Sequence, residues 1–372
     1  MSGAYLRAEG LAVGYQGKAL IQHIALSLRR GEIMTLIGPN GSGKSTILRS
    51  VIGQLRLIGG TVYLDGRAMA GMSEVEIAKR LSVLMTDRVR PEMMTCEDVV
   101  STGRYPYTGR LGILSAADWD KVHESMELVH AAELAKQDFS RVSDGQRQRV
   151  LLARAVCQEP EVIVLDEPTS FLDIRHKLEL LAILKDMVRK KDLAVLMSLH
   201  ELDLAQKASD YVVCVQGDRI GRCGPPEEIF TGEAIAELFG AARGCYNPCF
   251  GSLELERVGG KPEVFVISGG GSGIPIYRRL QRRGIPFAAG VLHRNDLDFP
   301  VADALAAELA VEEPFRPVSD AAFQQAMALM EACGKVICPL DCFGPMNEKN
   351  LELRRLANEK GWLAERLDGV LT

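Results

Sequence analysis

Between residues 32 and 52 the chain runs from an apolar stretch, Glu32–Ile37, through Gly38-Pro39-Asn40-Gly41-Ser42-Gly43-Lys44-Ser45-Thr46. It continues into Ile47, Leu48, Val51 and Ile52 at helical spacing. Nothing else in the sequence restricts the fold as much. A strand that turns through glycines directly into a helix directs successive backbone N–H groups inward, and the positive end of the helix lies behind them. Gly38-x4-Gly43-Lys44-Ser45 has the spacing of a P-loop. In that pattern Gly38 to Thr46 wrap a phosphate chain, Lys44 contacts the β- and γ-phosphates, and the Ser45 hydroxyl ligates Mg²⁺.

A second apolar run, Val162–Leu165, ends in Asp166-Glu167. A strand in that position delivers Asp166 to the metal, directly or through water. Glu167 is then placed to orient and deprotonate the attacking water. Tandem acids at a strand end can be mere solvated charge, but their position downstream of a phosphate loop favours the paired role.

The remaining motifs carry a family resemblance. Val142-Ser143-Asp144-Gly145-Gln146 precedes Arg147-Gln148-Arg149 and a helical stretch, and stands about twenty residues ahead of Asp166-Glu167. It resembles the signature sequence of ABC ATPases. Ser170-Phe171-Leu172-Asp173 is similar to the D-loop of that family, His200 to its switch histidine, and Tyr15 to the aromatic that stacks on adenine. The resemblance spans residues ~4–255. It implies a P-loop NTPase core with an antiparallel β subdomain and a helical subdomain, here about residues 88–157. It further implies a homodimer in which Ser143 and the Gly145 N–H of one copy reach the γ-phosphate held by the other. Gln146 and Asp173 count among the nucleotide-binding positions, and His200 holds the γ-phosphate.

Within the family, Thr95–Tyr107, with Gly103-Arg104-Tyr105-Pro106, and Gly109-Arg110-Leu111-Gly112 are similar to the ATPases of iron-siderophore, haem and cobalamin importers, as is Phe171–His176. That resemblance implies a cytoplasmic ATPase on the inner face of the membrane, working with two membrane-spanning permease subunits and indirectly with a substrate-binding protein. ATP and Mg²⁺ are the implied cofactors. Its rivals are a non-transport ABC ATPase acting in translation or DNA repair, and a nucleotide-dependent switch of low turnover. Two positions depart from the pattern. Thr86 stands where the family has a metal-contacting glutamine, so Thr86, Asp87 or a water takes that part, or coupling runs differently here; Asp144 stands where the family has glycine, and is expected to point away from phosphate.

Composition narrows the alternatives. The 372 residues carry a net charge of −5, with no basic excess of the kind that nucleic acid demands. No apolar run approaches the ~20 residues of a membrane-spanning helix, and Met1–Gly10 lacks the cationic start of a signal peptide. Nine scattered cysteines fit a reducing compartment better than a disulfide scaffold. Cys245/Cys249 and Cys333/Cys338/Cys342 read as ordinary thiols or as a metal or redox group.

Gly259-Gly260-Lys261-Pro262 has linker chemistry, so the domains are read as 1–258 and 259–372. The tail opens with a strand, Val264–Ser268, then Gly269-Gly270-Gly271-Ser272-Gly273 and a helix, the start of a small Rossmann-like α/β domain. Its glycine fingerprint is incomplete, because Ile274 occupies the third glycine position. The loop still offers N–H groups to an anion. Ligand sensing, packing and a second enzymatic activity all remain open for this domain.

Overall fold

The computed structural model describes residues 3–85, 93–109, 112–240 and 246–364. It comprises two compact units, Met1–Phe230 and Thr231–Thr372. The division therefore falls ahead of the linker chemistry at 259–262. The helix Gly232–Phe239 and the hairpin Tyr246–Asn247/Ser252–Leu253 belong to the second unit. Buried Glu254 accepts from Arg278 Nε at 3.2 Å, and the Asp303 carbonyl accepts from Arg257 Nη2 at 3.1 Å. These bonds fasten the connecting stretch to the helices it precedes.

In the first unit, Ala4–Tyr15 and Lys18–Arg29 pair antiparallel, and Gly59–Leu64 and Arg67–Ala68 extend them to four strands. Leu6, Ala8, Leu11 and Val13 from one strand and Ile21, Ile24, Leu26 and Leu28 from the next are buried, as a one-sided sheet requires. The second sheet has the order Arg219–Gly224, Tyr211–Gln216, Ile33–Ile37, Ala194–Ser198, Val162–Asp166, Leu81–Leu84. All but its first pair are parallel. Every residue of Ile33–Ile37, Val162–Asp166 and Ala194–Ser198 is buried, the mark of strands covered on both faces. Parallel strands bring their carboxyl ends to one edge, and ligands bind outside that edge.

The helices Cys96–Ser101, Ala116–Leu128 and Asp144–Cys157 each start with a capping box: Thr95 with Asp98, Ser115 with Asp118, Ser143 with Gln146. The Gly103-Arg104 pair has a packing explanation here. A Cβ on Gly103 would lie 2.4 Å from the Arg154 carbonyl. Buried Arg104 donates to Asp118 at 3.0 Å, to Glu159 at 2.8 Å and to the Cys157 carbonyl at 2.9 Å. Thr86 and Asp87, with Arg110 and Leu111, lie outside the described residues.

The second unit contains a five-stranded parallel sheet in the order Glu308–Glu312, Phe287–His293, Val264–Val266, Val336–Ile337, Leu363–Ala364. This is the doubly wound order 3-2-1-4-5, as read from the strand-loop-helix start. Alternate residues of the central strand serve two cores. Val264 and Val266 pack with Tyr277, Leu280 and Val301, whereas Phe265 and Ile267 pack with Phe323, Met330 and Leu353.

Glu312 joins two elements of this unit. Its carboxylate, buried at the end of the first of those strands, accepts from the backbone N–H of Ser319 at 2.7 Å and of Glu313 at 2.9 Å. Ser319 in turn caps the helix Asp320–Cys333. The hydrogen bonds from Ser319, ahead of that from Glu313, hold the carboxyl down at about 2, against an ordinary 4.5. A depressed acid adds stability above its unfolded value and loses it as pH falls. Glu312→Ala is therefore expected to cost about 2 kcal/mol at neutral pH. The difference from wild type should close between about 4.5 and about 2. Urea unfolding of the full chain, followed by Trp362 in a Trp119→Phe background, checks both.

Candidate functional site

The strand Ile33–Ile37 leads into the glycine loop, and the helix Lys44–Val51 begins with Gly43 at φ 96°. A side chain at Gly43 would be strained and would meet Ile21 Cδ1 at 2.6 Å. At Gly38 a Cβ would stand 2.3 Å from the Val215 carbonyl. Glycine is thus required for close packing at both ends of the turn. Lys44 is folded back into the loop, donating to the carbonyls of Gly38 at 2.9 Å and Pro39 at 3.1 Å. Burial lowers its ammonium below the ordinary lysine value, and the carboxylates of Glu167 and Asp166 act in the opposite direction. Ser42 Oγ is buried with no hydrogen-bond partner. A buried orphan hydroxyl and a desolvated cation in one turn at the start of a helix suit the oxygens of a polyphosphate.

Both acids arrive from the end of one strand, Val162–Asp166, which is separated from Ile33–Ile37 by Ala194–Ser198. Ser45 Oγ donates to Asp166 Oδ1 at 3.1 Å. A hydroxyl and a carboxylate converging this way are hard oxygen donors, the set Mg²⁺ takes when phosphate and water complete its shell. The next residue, Glu167, leaves the sheet in the left-handed region at φ 50°. Its Oε1 hydrogen-bonds His200 Nε2, its Oε2 accepts from Ser170 Oγ at 3.1 Å, and its carbonyl accepts from Ser170 N–H at 3.0 Å. Asn40, Gly41, Gly43, Lys44, Ser45, Thr46, Leu20, Glu167 and His200 line one cleft of about 350 Å³. Tyr15 is about half exposed, its hydroxyl 3.3 Å from Thr46 Oγ1, at the side of the same loop.

Ser143, Gly145, Gln146 and Asp173 are not among the residues lining that cleft. They gather elsewhere on the same unit. Ser143 caps Asp144–Cys157 and Gln146 closes the box. Asp144 is paired with Arg147 at 2.6 Å and directed along the helix surface. Asp173 caps Ile174–Lys191 and accepts from His176 N–H at 2.9 Å and Nδ1 at 2.8 Å. A Cβ on Gly145 would lie 3.1 Å from the His176 ring, so the signature turn packs on the D-loop helix.

Sequence reasoning passes over Ser198, two residues before His200. It is fully buried, donates to Asp166 Oδ1 at 2.8 Å and accepts from Glu167 N–H at 2.9 Å. The available signal is a hydroxyl in the otherwise apolar run Ala194–Leu199, next to the switch histidine.

In the second unit the glycine loop is not open to an outside anion. Gly270 N–H donates to both oxygens of Asp296 at 3.0 and 3.1 Å. Gly273 N–H donates to both oxygens of Asp298, and Ile274 N–H donates to Asp298 Oδ1 at 3.1 Å. Asp298 is fully buried, and burial raises its carboxyl above the ordinary value. The chain supplies its own carboxylates where a phosphate would sit. His293 contacts the Arg316 carbonyl at 2.7 Å, and Cys338 is half-buried with its thiol raised by burial. Cys249, Cys333, Cys338 and Cys342 are free thiols, and Cys245 lies outside the described residues. No helix among the described residues is long and apolar enough to cross a membrane.

The ABC transporter family model matches residues 21–170, and the MJ0874 family matches residues 287–365. An uncharacterized ABC transporter ATP-binding protein of Methanocaldococcus jannaschii is 38% identical over 288 residues, 77% of this chain and 99% of that protein. An iron(3+)-hydroxamate import ATP-binding protein of Bacillus subtilis is 35% identical over 234 residues, 63% of this chain and 87% of its own. A cobalamin import ATP-binding protein of Halobacterium salinarum is 32% identical over 323 residues, 85% and 80% of the two chains. A solved ABC transporter in an inward-facing conformation aligns with TM-score 0.57 at 26% identity, covering 64% of this chain and 89% of that one.

Proposed function

The chain belongs to the ATP-binding proteins of ABC transporters, and from that premise we propose that it powers import of a metal chelate, of the ferric-siderophore, haem or cobalamin class, through two permease subunits. As an ATPase of that family it converts ATP and water to ADP and phosphate. The reading of cargo is supported by the names of relatives that align over most of the ATPase unit, and by the Gly103-Arg104-Tyr105-Pro106 stretch. It places the chain at the inner face of the membrane as a homodimer, served indirectly by a substrate-binding protein.

The loop Gly38–Thr46 and Lys44 hold the β- and γ-phosphates, with Tyr15 against the adenine. Ser45 and Asp166 are the residues that would hold Mg²⁺, which when bound neutralises phosphate charge. Glu167 accepts the proton of the attacking water. His200, hydrogen-bonded to Glu167 in this structure, turns to the γ-phosphate when nucleotide arrives. Ser143 and Gly145 of the second copy close over it, presenting a hydroxyl and an N–H at a helix start, with Gln146 and Asp173 beside them. The observation that carries this reading is the convergence of Lys44, Ser45, Glu167 and His200 on one cleft.

Cargo is tested in cells by uptake. A strain lacking this chain should lose accumulation of one of three radiolabelled probes, ferric hydroxamate, haem or cobalamin, and the wild-type chain should restore it. Unchanged uptake of ferric hydroxamate, haem and cobalamin alike would overturn the cargo class.

A further inference from the structure

Ser198 lies where the two acids of the site meet. In the parallel sheet it stands in register with Asp166 on one neighbouring strand and Leu36 on the other. The strand ends there, so its hydroxyl faces the point at which the chain leaves Asp166 for Glu167. The single proton of Oγ goes to Asp166 Oδ1 at 2.8 Å, and a lone pair accepts the Glu167 N–H at 2.9 Å. Ser45 Oγ donates to the same Asp166 oxygen from the other side, at 3.1 Å. Asp166 Oδ1 is thus bracketed by two hydroxyls, one from the phosphate loop and one from the switch strand.

Glu167 needs such support. A non-glycine residue at φ 50° is held in a sparsely populated region that persists only where its surroundings fix it. Its N–H points back into the sheet edge, where Ser198 is fully buried. Without an acceptor there, the N–H would be a buried orphan, and the peptide would be free to rotate and swing the Glu167 carboxylate.

We propose that Ser198 is a positioning residue for ATP hydrolysis, clamping the Asp166 carboxylate and the Glu167 backbone to each other so that metal ligand and base keep a fixed relation. The inference rests on the assignment of Glu167 as base. Ser198 is not among the residues lining the cleft and acts through the two acids it hydrogen-bonds. The clamp concerns the geometry of hydrolysis and leaves the phosphate loop untouched, so the effect belongs in kcat and not in KM.

The experiment compares the full-length wild type with Ser198→Ala, Ser198→Thr and Glu167→Gln. Ser198→Ala should lower kcat for Mg²⁺-ATP hydrolysis roughly 10- to 100-fold, the factor for losing one or two buried hydrogen bonds. KM for ATP should stay within about twofold, since the ground-state contacts to phosphate remain. Ser198→Thr, which restores the hydroxyl, should recover kcat to within several-fold. A readout independent of activity is amide hydrogen exchange in the nucleotide-free protein: the Glu167 amide should exchange faster in Ser198→Ala and return toward wild type in Ser198→Thr. Wild-type kcat in Ser198→Ala, or a lowered unfolding midpoint with kcat and Glu167 exchange unchanged, would overturn the proposal. The Glu167→Gln arm separates the two assignments. Normal turnover there removes the base, whereas an inert Glu167→Gln beside a fully active Ser198→Ala removes only the clamp.

Discussion

Glu167→Gln should lower steady-state ATP hydrolysis roughly 10²–10⁴-fold while ATP binding stays within a few-fold of wild type. The glutamine side chain has nearly the same shape and can still hydrogen-bond His200 and Ser170, which now hold Glu167 from both oxygens. What it cannot do is accept a proton from water. The loss therefore falls on the chemical step, and the contacts that hold the phosphates, on Gly38–Thr46, are untouched. Phosphate release by the full chain with Mg²⁺, set beside ATP binding followed by thermal stabilisation, separates the two quantities. Turnover near the wild-type rate would mean that water is activated by another group. Equal losses of binding and turnover would mean that Glu167 supports the site's structure.

Lys44→Ala should remove ATP binding by a factor of roughly 10–150, the equivalent of a charge-assisted hydrogen bond of about 1.5–3 kcal/mol. Turnover at ordinary ATP concentrations falls with it. The variant should nevertheless fold. Burial holds the Lys44 ammonium below its ordinary value, so at neutral pH its charged form is less favourable in the folded chain than in the unfolded one. Deleting it relieves that cost, and this offsets the loss of its bonds to the Gly38 and Pro39 carbonyls. The unfolding midpoint without nucleotide should stay within a few degrees of wild type. Nucleotide-induced stabilisation, about 2.7 kcal/mol at a hundredfold excess over Kd in the wild type, should fall to about 0.3–1.4 kcal/mol at the same ATP concentration. A variant that loses its nucleotide-free stability instead would give Lys44 a structural role.

The two variants fail in different ways because the two residues act on different states. In the proposed mechanism Lys44 serves bound phosphate from the start, while Glu167 matters when water loses its proton. Ser198 belongs with Glu167 in this division. His200 joins both groups, since in this structure it holds Glu167 and in the nucleotide-bound form it is read as reaching phosphate.

The sequence by itself determined the parts of this protein whose geometry is local. Gly38–Thr46 specify a turn into a helix because their conformations follow from residue type and their order from covalent bonding. The acids at the end of Val162–Leu165 and the strand Val264–Ser268 that opens the second α/β unit are legible for the same reason. Tertiary structure decided whatever depends on residues far apart in the chain. Ser198 meets Asp166 only because two parallel strands share a register, and nothing in Ala194–Leu199 states that register. Asp296 and Asp298 reach the Gly269–Gly273 loop from some 25 residues away, so a turn that reads locally as an anion site has the Gly270 and Gly273 N–H groups already bound to carboxylates of the same chain. Glycine and proline at 259–262 mark where a chain can bend, while packing decides which compact unit a segment joins, and the stretch from Thr231 packs with the second.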